Sequence, residues 1–247
     1  MVIAIANHKG GVGKTTSTVN LGAALQRMGK KVLLVDLDPQ ANLTQSLRLT
    51  EHRPTVYEAL RGEGQLEPVE VLPGLDVVTS TLDLSGAEVE LSSEAGREYI
   101  LKELLEPLRR RYGYILLDSP PSLGLLTINA FTAAEEVYIP LQAHYLAMQG
   151  LSKLQEVVDR VGKRLNKGLR IGGVFITQYD QRKVLNREVA ETIRKHFPSV
   201  VFRTAIRDNV ALAEAPTAGQ DVLRYAPRST GAADYQALAK EVIKRTK

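Results

Sequence analysis

The chain has 247 residues, of which 44% are apolar and 24% charged, a composition typical of a globular protein that buries its own core. It contains no cysteine, which excludes disulfides, iron–sulfur clusters, thiolate zinc sites and cysteine nucleophiles. The net charge is +4, but residues 1–123 carry −3 and residues 124–247 carry +7, so the basic C-terminal half favours an anionic partner such as nucleic acid.

Short β-branched or leucine-rich runs alternate with longer helical patterns along the chain. In chain order, the predicted strands are residues 2–6, 31–36, 75–79, 114–118, 137–141, 171–177 and 200–205. The predicted helices are residues 15–28, 55–61, 94–110, 125–134, 145–165, 184–196 and 231–245. The rest of the proline-rich stretch 48–74 reads as irregular. This alternation predicts a single α/β domain over residues 1–247, a mostly parallel twisted sheet with helices on both faces.

The strongest functional signal lies between the first predicted strand and the first predicted helix, where the sequence reads Lys9-Gly10-Gly11-Val12-Gly13-Lys14-Thr15-Thr16. A glycine-rich turn in this context is typical of a phosphate-binding loop, since its N–H groups and the helix dipole converge on phosphate oxygens. We expect Lys14 to reach the β- and γ-phosphates of a nucleotide and Thr15 to bind Mg²⁺. Thr16 is placed to bond the α-phosphate. The standard pattern has glycine where this chain has His8.

Three aspartates follow predicted strands, at the sheet edge where ligands of such folds bind. Asp118 ends the strand 114–118, and a carboxylate there can hold Mg²⁺ directly or through water. Asp36 and Asp38 end the neighbouring strand, and the two-residue period of a strand directs both to the same side. The pattern therefore predicts a site for a nucleotide with magnesium. Asp36 has two possible roles there: a hydrogen bond to the loop, or a place in the coordination shell of the magnesium.

These segments together resemble the ParA/MinD family of P-loop ATPases, whose Walker A motif is deviant. The similarity includes Lys9 ahead of the double glycine, the segments 36–42 (DLDPQAN) and 114–122 (YILLDSPPS), and Ala213-Glu214-Ala215-Pro216 near the end. It extends over essentially the whole chain and is greatest for the short ParA partition ATPases, often called Soj. It implies an α/β P-loop NTPase fold and slow, partner-stimulated hydrolysis of ATP to ADP and phosphate, with ATP and Mg²⁺ as cofactors.

The resemblance also assigns roles to single residues. Asp38 is expected to position the attacking water and to join Thr15 and Asp118 around the metal. Lys9 is expected to reach across an ATP-dependent homodimer to the partner subunit's nucleotide, so that Lys9, Lys14 and Asp38 are the expected catalytic residues. The segment that contains Arg207 and Asn209 is expected to pack on the adenine.

In the short partition ATPases DNA binding is independent of sequence, and the basic half of this chain suits contacts to duplex phosphates. The candidate DNA-binding residues are Arg182, Lys183, Arg187, Arg203 and Arg207. Arg182 matches a DNA-binding arginine of the family. Ala211 stands where many relatives have a second one, so a neighbouring basic residue must replace it.

The implied function is segregation of a chromosome or plasmid together with a ParB-like centromere-binding partner, in the cytoplasm and on the nucleoid, without a membrane. The first strand starts at residue 2, so no N-terminal helix-turn-helix is expected. Two alternatives stay open. One is a metabolic ATP-dependent enzyme of the same fold, similar to dethiobiotin synthetase, that activates a small carboxylate. The other is a MinD-like membrane-associated positioning ATPase.

Overall fold

The computed structural model describes residues 1–144 and 147–246. The strands among them form one seven-stranded sheet. Its strands are β1 Val2–Ile5, β2 Val32–Asp36, β3 Val69–Leu72, β4 Leu75–Val78, β5 Tyr114–Asp118, β6 Glu136–Gln142 and β7 Arg170–Thr177. They lie in the order β3-β4-β2-β5-β1-β6-β7, and every neighbouring pair is parallel except β3 with β4. The predicted mostly parallel α/β sheet is confirmed.

Helices occupy most of the connections between these strands. They are α1 Lys14–Arg27, α2 Asn42–Ser46, α3 Val56–Leu60, α4 Leu84–Glu90, α5 Ile100–Leu105, α6 Leu125–Ala133, α7 Ala147–Arg164, α8 Val184–His196, α9 Val210–Glu214, α10 Val222–Tyr225 and α11 Thr230–Arg245. Short 3₁₀ turns follow α4 and α9. The helix predicted over 145–165 is found, although its first two residues lie outside the described part of the chain. Among the described residues, no helix is long and apolar enough to cross a bilayer.

Successive side chains of the strands point to opposite faces of the sheet and pack into two separate hydrophobic cores, one on each face. Val2 and Ala4 of β1 pack with side chains from α3 to α8, whereas Ile3 and Ile5 pack with α1, α2, α10 and α11. This alternation follows from the two-residue period of a strand. The buried central strands, covered on both faces, therefore read as unbroken apolar runs such as the VIAI of β1.

The helix predicted over residues 94–110 is much shorter in the structure, where only α5 is helical in that range. Gly96 has a φ of 71°, and the side chain of Asn129 donates to the carbonyl of Arg97 and accepts from the N–H of Leu101. Pro107 has no N–H to continue the helix and disfavours helical geometry at the residue before it. The sequence has helical periodicity over this range, but the hydrogen bonds to Asn129 and the proline make the helix itself shorter.

The strand predicted over 200–205 is wrong in extent, because only Val201 forms a bridge, to Val174 of β7. The N–H of Phe202 still donates to the carbonyl of Val174 at 2.8 Å, but the N–H groups of Arg203 and Thr204 donate to the carboxylate of Glu241 in α11, at 3.0 and 2.8 Å. The side chain of Glu241, from a helix distant in sequence, thus accepts the hydrogen bonds that these N–H groups would otherwise donate to a neighbouring strand.

Candidate nucleotide site

The glycine-rich loop lies between the end of β1 and the start of α1, as the sequence predicts. Gly11 and Gly13 have φ values of 72° and 86°, in the left-handed region that glycine adopts without a steric penalty. Gly13 is the N-cap of α1 and accepts a backbone hydrogen bond from Ser17 at 2.9 Å. The loop therefore turns directly into a helix N-terminus, which is the geometry of an anion site.

Two consecutive residues at the end of β7 hold the outer side of this loop. The Thr177 hydroxyl donates to the carbonyl of Val12 at 2.8 Å, and the Gln178 amide donates to the carbonyl of Gly11 at 2.7 Å. Because a trans peptide unit directs its N–H away from its C=O, these bonds also fix the directions of the N–H groups of Val12 and Gly13. Such convergent N–H groups bind phosphate oxygens in loops of this kind.

A cavity of about 690 Å³ opens beside the loop, at the carboxyl edge of the sheet. It is lined by Gly10, Gly11, Gly13, Lys14, Thr15, Thr16, Val19, Asn20, Asp38, Gln40, Asn42, Gln45, Ser46, Pro121, Gln178, Leu212, Ala215, Pro216, Thr217 and Gln220. The cavity thus joins the phosphate loop, one of the three predicted aspartates and the segment after α9. Its size lies in the range of cofactor sites.

Lys14 and Lys9 occupy different environments. The Lys14 side chain is buried, and its Nζ donates to the backbone carbonyl of Lys9 at 3.3 Å. Burial lowers the pKa of Lys14, while the charges of Asp118 and Asp38 oppose that shift. The ammonium therefore lies within electrostatic range of both carboxylates. Lys9 is exposed, with its N–H bonded to the side chain of Asn7, and it is not among the residues that line the cavity.

The three aspartates have distinct hydrogen-bond partners. Asp38 borders the cavity, and its Oδ1 accepts the N–H of Gln40 at 2.9 Å. Asp36 is fully buried, and its Oδ2 accepts both the N–H and the hydroxyl of Thr44, at 2.9 and 2.7 Å. These bonds join α2 to the end of β2. Among the described residues no hydrogen bond joins Asp36 to the phosphate loop, and its place in the metal shell stays a prediction.

Asp118 has the environment expected of a cation ligand. It is fully buried; its Oδ1 accepts the hydroxyl of Thr18 at 3.2 Å, and its Oδ2 has no hydrogen-bond partner among the described residues. Burial, and then the charge of Asp36, raises the pKa of Asp118. A cation beside this oxygen would remove the cost of burying its charge. The described residues hold no cluster of three or more His, Cys, Asp or Glu side chains able to bind a metal.

A smaller cavity of about 180 Å³ lies behind the loop, lined by Gly13, Thr16, Thr177, Gln178, Ile206, Arg207, Asp208, Asn209, Leu212, Ala213 and Tyr235. Arg207 and Asn209, predicted to approach the adenine, both border it. Asn209 caps α9 by accepting the N–H of Ala211 at 3.1 Å, and the Arg207 guanidinium is bonded to Asp234 at 2.6 to 3.2 Å. The segment is therefore held in place beside this cavity by hydrogen bonds.

The predicted DNA-binding residues are all exposed, and the structure brings four of the five together. Arg182 and Arg207 line one depression of about 280 Å³. Arg187 donates to the carbonyl of Gln181 at 2.7 Å, which folds the start of α8 and Lys183 next to it back onto the same loop. Arg203 lies elsewhere, beside Glu241. Asp180 pairs with Arg182 at 3.0 Å, and hydrogen bonds from Arg182 lower the pKa of Asp180 to about 2.

Sequence reasoning did not identify Thr177, Gln178 or Thr18 as part of this site. Thr177 and Gln178 directly follow a strand that was predicted, at the edge where ligands bind, so their position was a usable signal. Thr18 lies one helical turn after Lys14 and so on the same side of α1. Pro216 belongs to the segment 213–216 that carries part of the family resemblance, but neither it nor Gln220 was predicted to line the cavity, because only the fold brings them there.

Comparison with known proteins gives a consistent result. A family model described as an AAA domain (AAA_31) matches residues 1–171. The chain is 46% identical to the chromosome partitioning protein ParA of Caulobacter vibrioides, with 99% of this chain and 94% of that protein covered. It is 47% identical to the chromosome-partitioning ATPase Soj of Thermus thermophilus, with 98% and 95% covered. It also resembles the solved structure of cobyrinic acid a,c-diamide synthase from Mycobacterium smegmatis with bound ADP and magnesium, at a TM-score of 0.85 and 35% identity, with 99% and 94% covered.

Proposed function

The chain belongs to the ParA/Soj family of chromosome-partitioning ATPases, and from that premise we propose that it is a nucleotide-dependent dimer that binds DNA of any sequence and segregates a chromosome or plasmid. The observation that carries the proposal is the joining of the phosphate loop, Lys14 and Asp38 around one cavity, with the unpartnered Asp118 oxygen buried close by.

In this proposal the loop 10–16 binds the phosphates of ATP. Lys14 neutralises charge on the β- and γ-phosphates, and its buried position strengthens that interaction because little water screens it. Thr15 and Asp118 would hold Mg²⁺, which when bound supplies further charge neutralisation on the phosphate oxygens. Arg207 and Asn209 border the region that receives the base.

Asp38 orients the water for hydrolysis. The Gln40 N–H tethers one of its oxygens, so the carboxylate faces the cavity in a fixed direction. The water oxygen bonds to the γ-phosphorus, the bond from that phosphorus to the bridging oxygen breaks, and the products are ADP and phosphate. Phosphoryl transfer needs mainly positioning and charge neutralisation, which this small set of residues supplies.

Dimerisation rests on Lys9. Its backbone is fixed by bonds to Asn7 and Lys14, while the residue is exposed and directly precedes the glycines that line the cavity. A second copy facing the cavity would bring its own nucleotide within reach of this ammonium. ATP would then favour the dimer because the γ-phosphate gains a cation only there.

DNA binding rests on the basic surface formed by Arg182, Lys183, Arg187 and Arg207. Exposed cations on a loop and a helix start suit phosphate contacts, which carry no sequence information. Arg182 exposes 87% of its side chain and can leave Asp180 for a phosphate. We further propose that a ParB-like centromere-binding protein stimulates hydrolysis, which releases the dimer from DNA. The protein would then act in the cytoplasm, on the nucleoid.

The decisive experiment measures three quantities on one preparation: nucleotide affinity, oligomeric state and co-sedimentation with random-sequence duplex, each without nucleotide, with ADP and with ATP. We expect a dimer and DNA binding with ATP only. A monomer that binds ATP but never DNA would contradict the partition role.

A second candidate function is supported by the likeness to the diamide synthase structure. On that view the cavity would also accept a small carboxylate next to the γ-phosphate, to be activated by phosphorylation. Phosphate release that depends on an added carboxylate, with no response to DNA, would favour it over partition.

A further inference from the structure

Gln178 is bonded on both sides through its side-chain amide. Its Nε2 donates to the carbonyl of Gly11 in the phosphate loop at 2.7 Å, and its Oε1 accepts from Nε2 of Gln142, the last residue of β6, at 2.8 Å. Gln178 also borders both the large and the small cavity. One exposed side chain therefore connects the ends of β6 and β7 to the loop that faces the nucleotide.

The backbone of Gln178 is also unusual, since its φ is 50°. A residue with a side chain occupies this left-handed region at a steric cost, and it stays there only when surrounding contacts hold it. The bonds to Gly11 and Gln142 are such contacts. A change in the loop carbonyl would remove part of what keeps Gln178 in this conformation.

The residues that follow Gln178 are fixed to the second half of the site. The N–H of Tyr179 donates to the carbonyl of Ile206 at 3.0 Å, and the N–H of Asp208 donates to the carbonyl of Tyr179 at 3.1 Å. Asp180 then accepts the backbone N–H of Arg182 at 2.9 Å, in addition to its ion pair with the same residue. The segment 179–182 is thus held by bonds to residues 206–208 and by bonds within itself, and it follows Gln178 directly along the backbone.

We propose that Gln178 is a positioning residue that couples nucleotide occupancy of the phosphate loop to the order of the segment 179–187. Phosphate bound to the N–H groups of the loop fixes the same peptide units whose carbonyls accept hydrogen bonds from Thr177 and Gln178. Gln178 is then held more firmly, and so is the segment that follows it, which contains Arg182. The inference rests on the proposed nucleotide site and is independent of whether the basic surface binds DNA.

The test compares Gln178→Ala, which removes both side-chain bonds, with Gln178→Gly, which removes them and also relieves the left-handed strain. Gln181→Ala is the matched control, because Gln181 is an exposed glutamine of the same loop with only its backbone carbonyl bonded to Arg187. The measurements are ATP affinity and hydrogen exchange of amides 179–187, with and without a non-hydrolysable ATP analogue and Mg²⁺.

In the parent protein and in Gln181→Ala, the analogue should slow exchange in 179–187. In both Gln178 variants that slowing should disappear. ATP affinity should fall only about 2- to 10-fold, as expected for loss of the one hydrogen bond that Gln178 makes to the phosphate loop. The melting temperature without nucleotide should match that of Gln181→Ala, which separates positioning from a general structural defect.

Slowing of exchange that is the same in Gln178→Ala and in the parent, with nucleotide bound to both, would overturn the inference. So would a parent protein that binds the analogue without any change in 179–187. Failure of the parent to bind nucleotide at all would instead refute the proposed function, so the two failures are distinct. Loss of the effect in Gln178→Ala alone, with Gly restoring it, would assign the coupling to the left-handed backbone conformation, which glycine adopts freely, and overturn the role of the amide.

Discussion

Asp36 and Asp118 are register partners at the ends of the neighbouring strands β2 and β5, and both carboxyl groups are fully buried. Thr44 satisfies Asp36 with two hydrogen bonds, whereas one oxygen of Asp118 has no partner among the described residues. Two acidic groups side by side in a buried place destabilise each other when both are charged. This pair leads us to expect a cation beside the oxygen of Asp118 that has no partner among the described residues.

Asp118→Asn should therefore stabilise the nucleotide-free protein. Folding raises the pKa of Asp118, so the folded state favours the protonated acid and loses stability as the pH rises above the ordinary carboxyl value of about 4. The variant escapes this loss, and its melting temperature should exceed that of the parent by a wider margin at pH 8 than at pH 5. A gain of about 1 kcal/mol would correspond to roughly 2–4 °C.

The same variant should bind ATP with an affinity that no longer responds to Mg²⁺. Asp159→Asn, on the exposed side of α7, is the matched control and should keep both the parent stability and the magnesium response. An Asp118→Asn protein that retains the full response to Mg²⁺ would remove Asp118 from the metal site.

Lys14→Ala should weaken ATP binding by about 10²-fold, since a charge-assisted contact to phosphate contributes roughly 1.5–3 kcal/mol. Equilibrium titration with a fluorescent ATP analogue measures this directly. Lys240→Ala removes an exposed lysine from α11 and should leave the affinity unchanged. Equal affinities for the Lys14 and Lys240 variants would show that the loop does not bind the phosphates.

Asp38→Ala should bind ATP and dimerise but hydrolyse ATP about 10²- to 10³-fold more slowly, because Asp38 is assigned to the attacking water and not to affinity. Size-exclusion chromatography should show a dimer that persists after ATP is added. Hydrolysis at the parent rate would move the role to another residue.

Arg182→Ala should weaken binding to any duplex and reduce the slope of log affinity against log salt by about one unit. ATP affinity should not change. Arg164→Ala, an exposed arginine at the end of α7, is the control. If reversal of Arg182, Arg203 and Arg207 to Glu, one at a time, leaves DNA binding intact, the basic half is only a solvated surface.

Arg207→Ala should differ from Arg182→Ala in its effect on folding. Arg207 donates three side-chain hydrogen bonds to Asp234, which is buried, so its removal leaves a buried carboxylate with only a backbone donor. We expect a loss of about 1–3 kcal/mol in the free energy of unfolding, measured by urea titration. Arg182 exposes 87% of its side chain, against 47% for Arg207, so solvent screens its pair with Asp180 and Arg182→Ala should leave that free energy nearly unchanged.

Much of the fold could be predicted because buried parallel strands carry a dense apolar pattern, and the helix over 184–196 was predicted with the correct ends. The antiparallel hairpin of β3 and β4 was half missed: Glu70 and two prolines interrupt the apolar pattern around β3, although Pro73-Gly74, with a φ of 85° at Gly74, is a turn signal between the two strands. The phosphate loop was predictable because its chemistry is local in sequence. The bonds from Thr177 and Gln178 were not, since they join residues far apart in the chain.

The place of β1 at the centre of the sheet, between β5 and β6, has a consequence for synthesis of the chain. Residues 2–5 leave the ribosome long before residues 114–118 and 136–142, so the nascent protein carries an apolar strand with both edges open. The loop that follows β1 gains its contacts later still, because the side chains of Thr177 and Gln178 donate hydrogen bonds to it. The hydroxyl of Tyr235 in α11 is also hydrogen-bonded to that of Ser17 in α1, at 2.9 Å. The first ligand-binding element to be translated is therefore among the last to be completed, so bound nucleotide cannot stabilise the N-terminal strand until translation has reached α11.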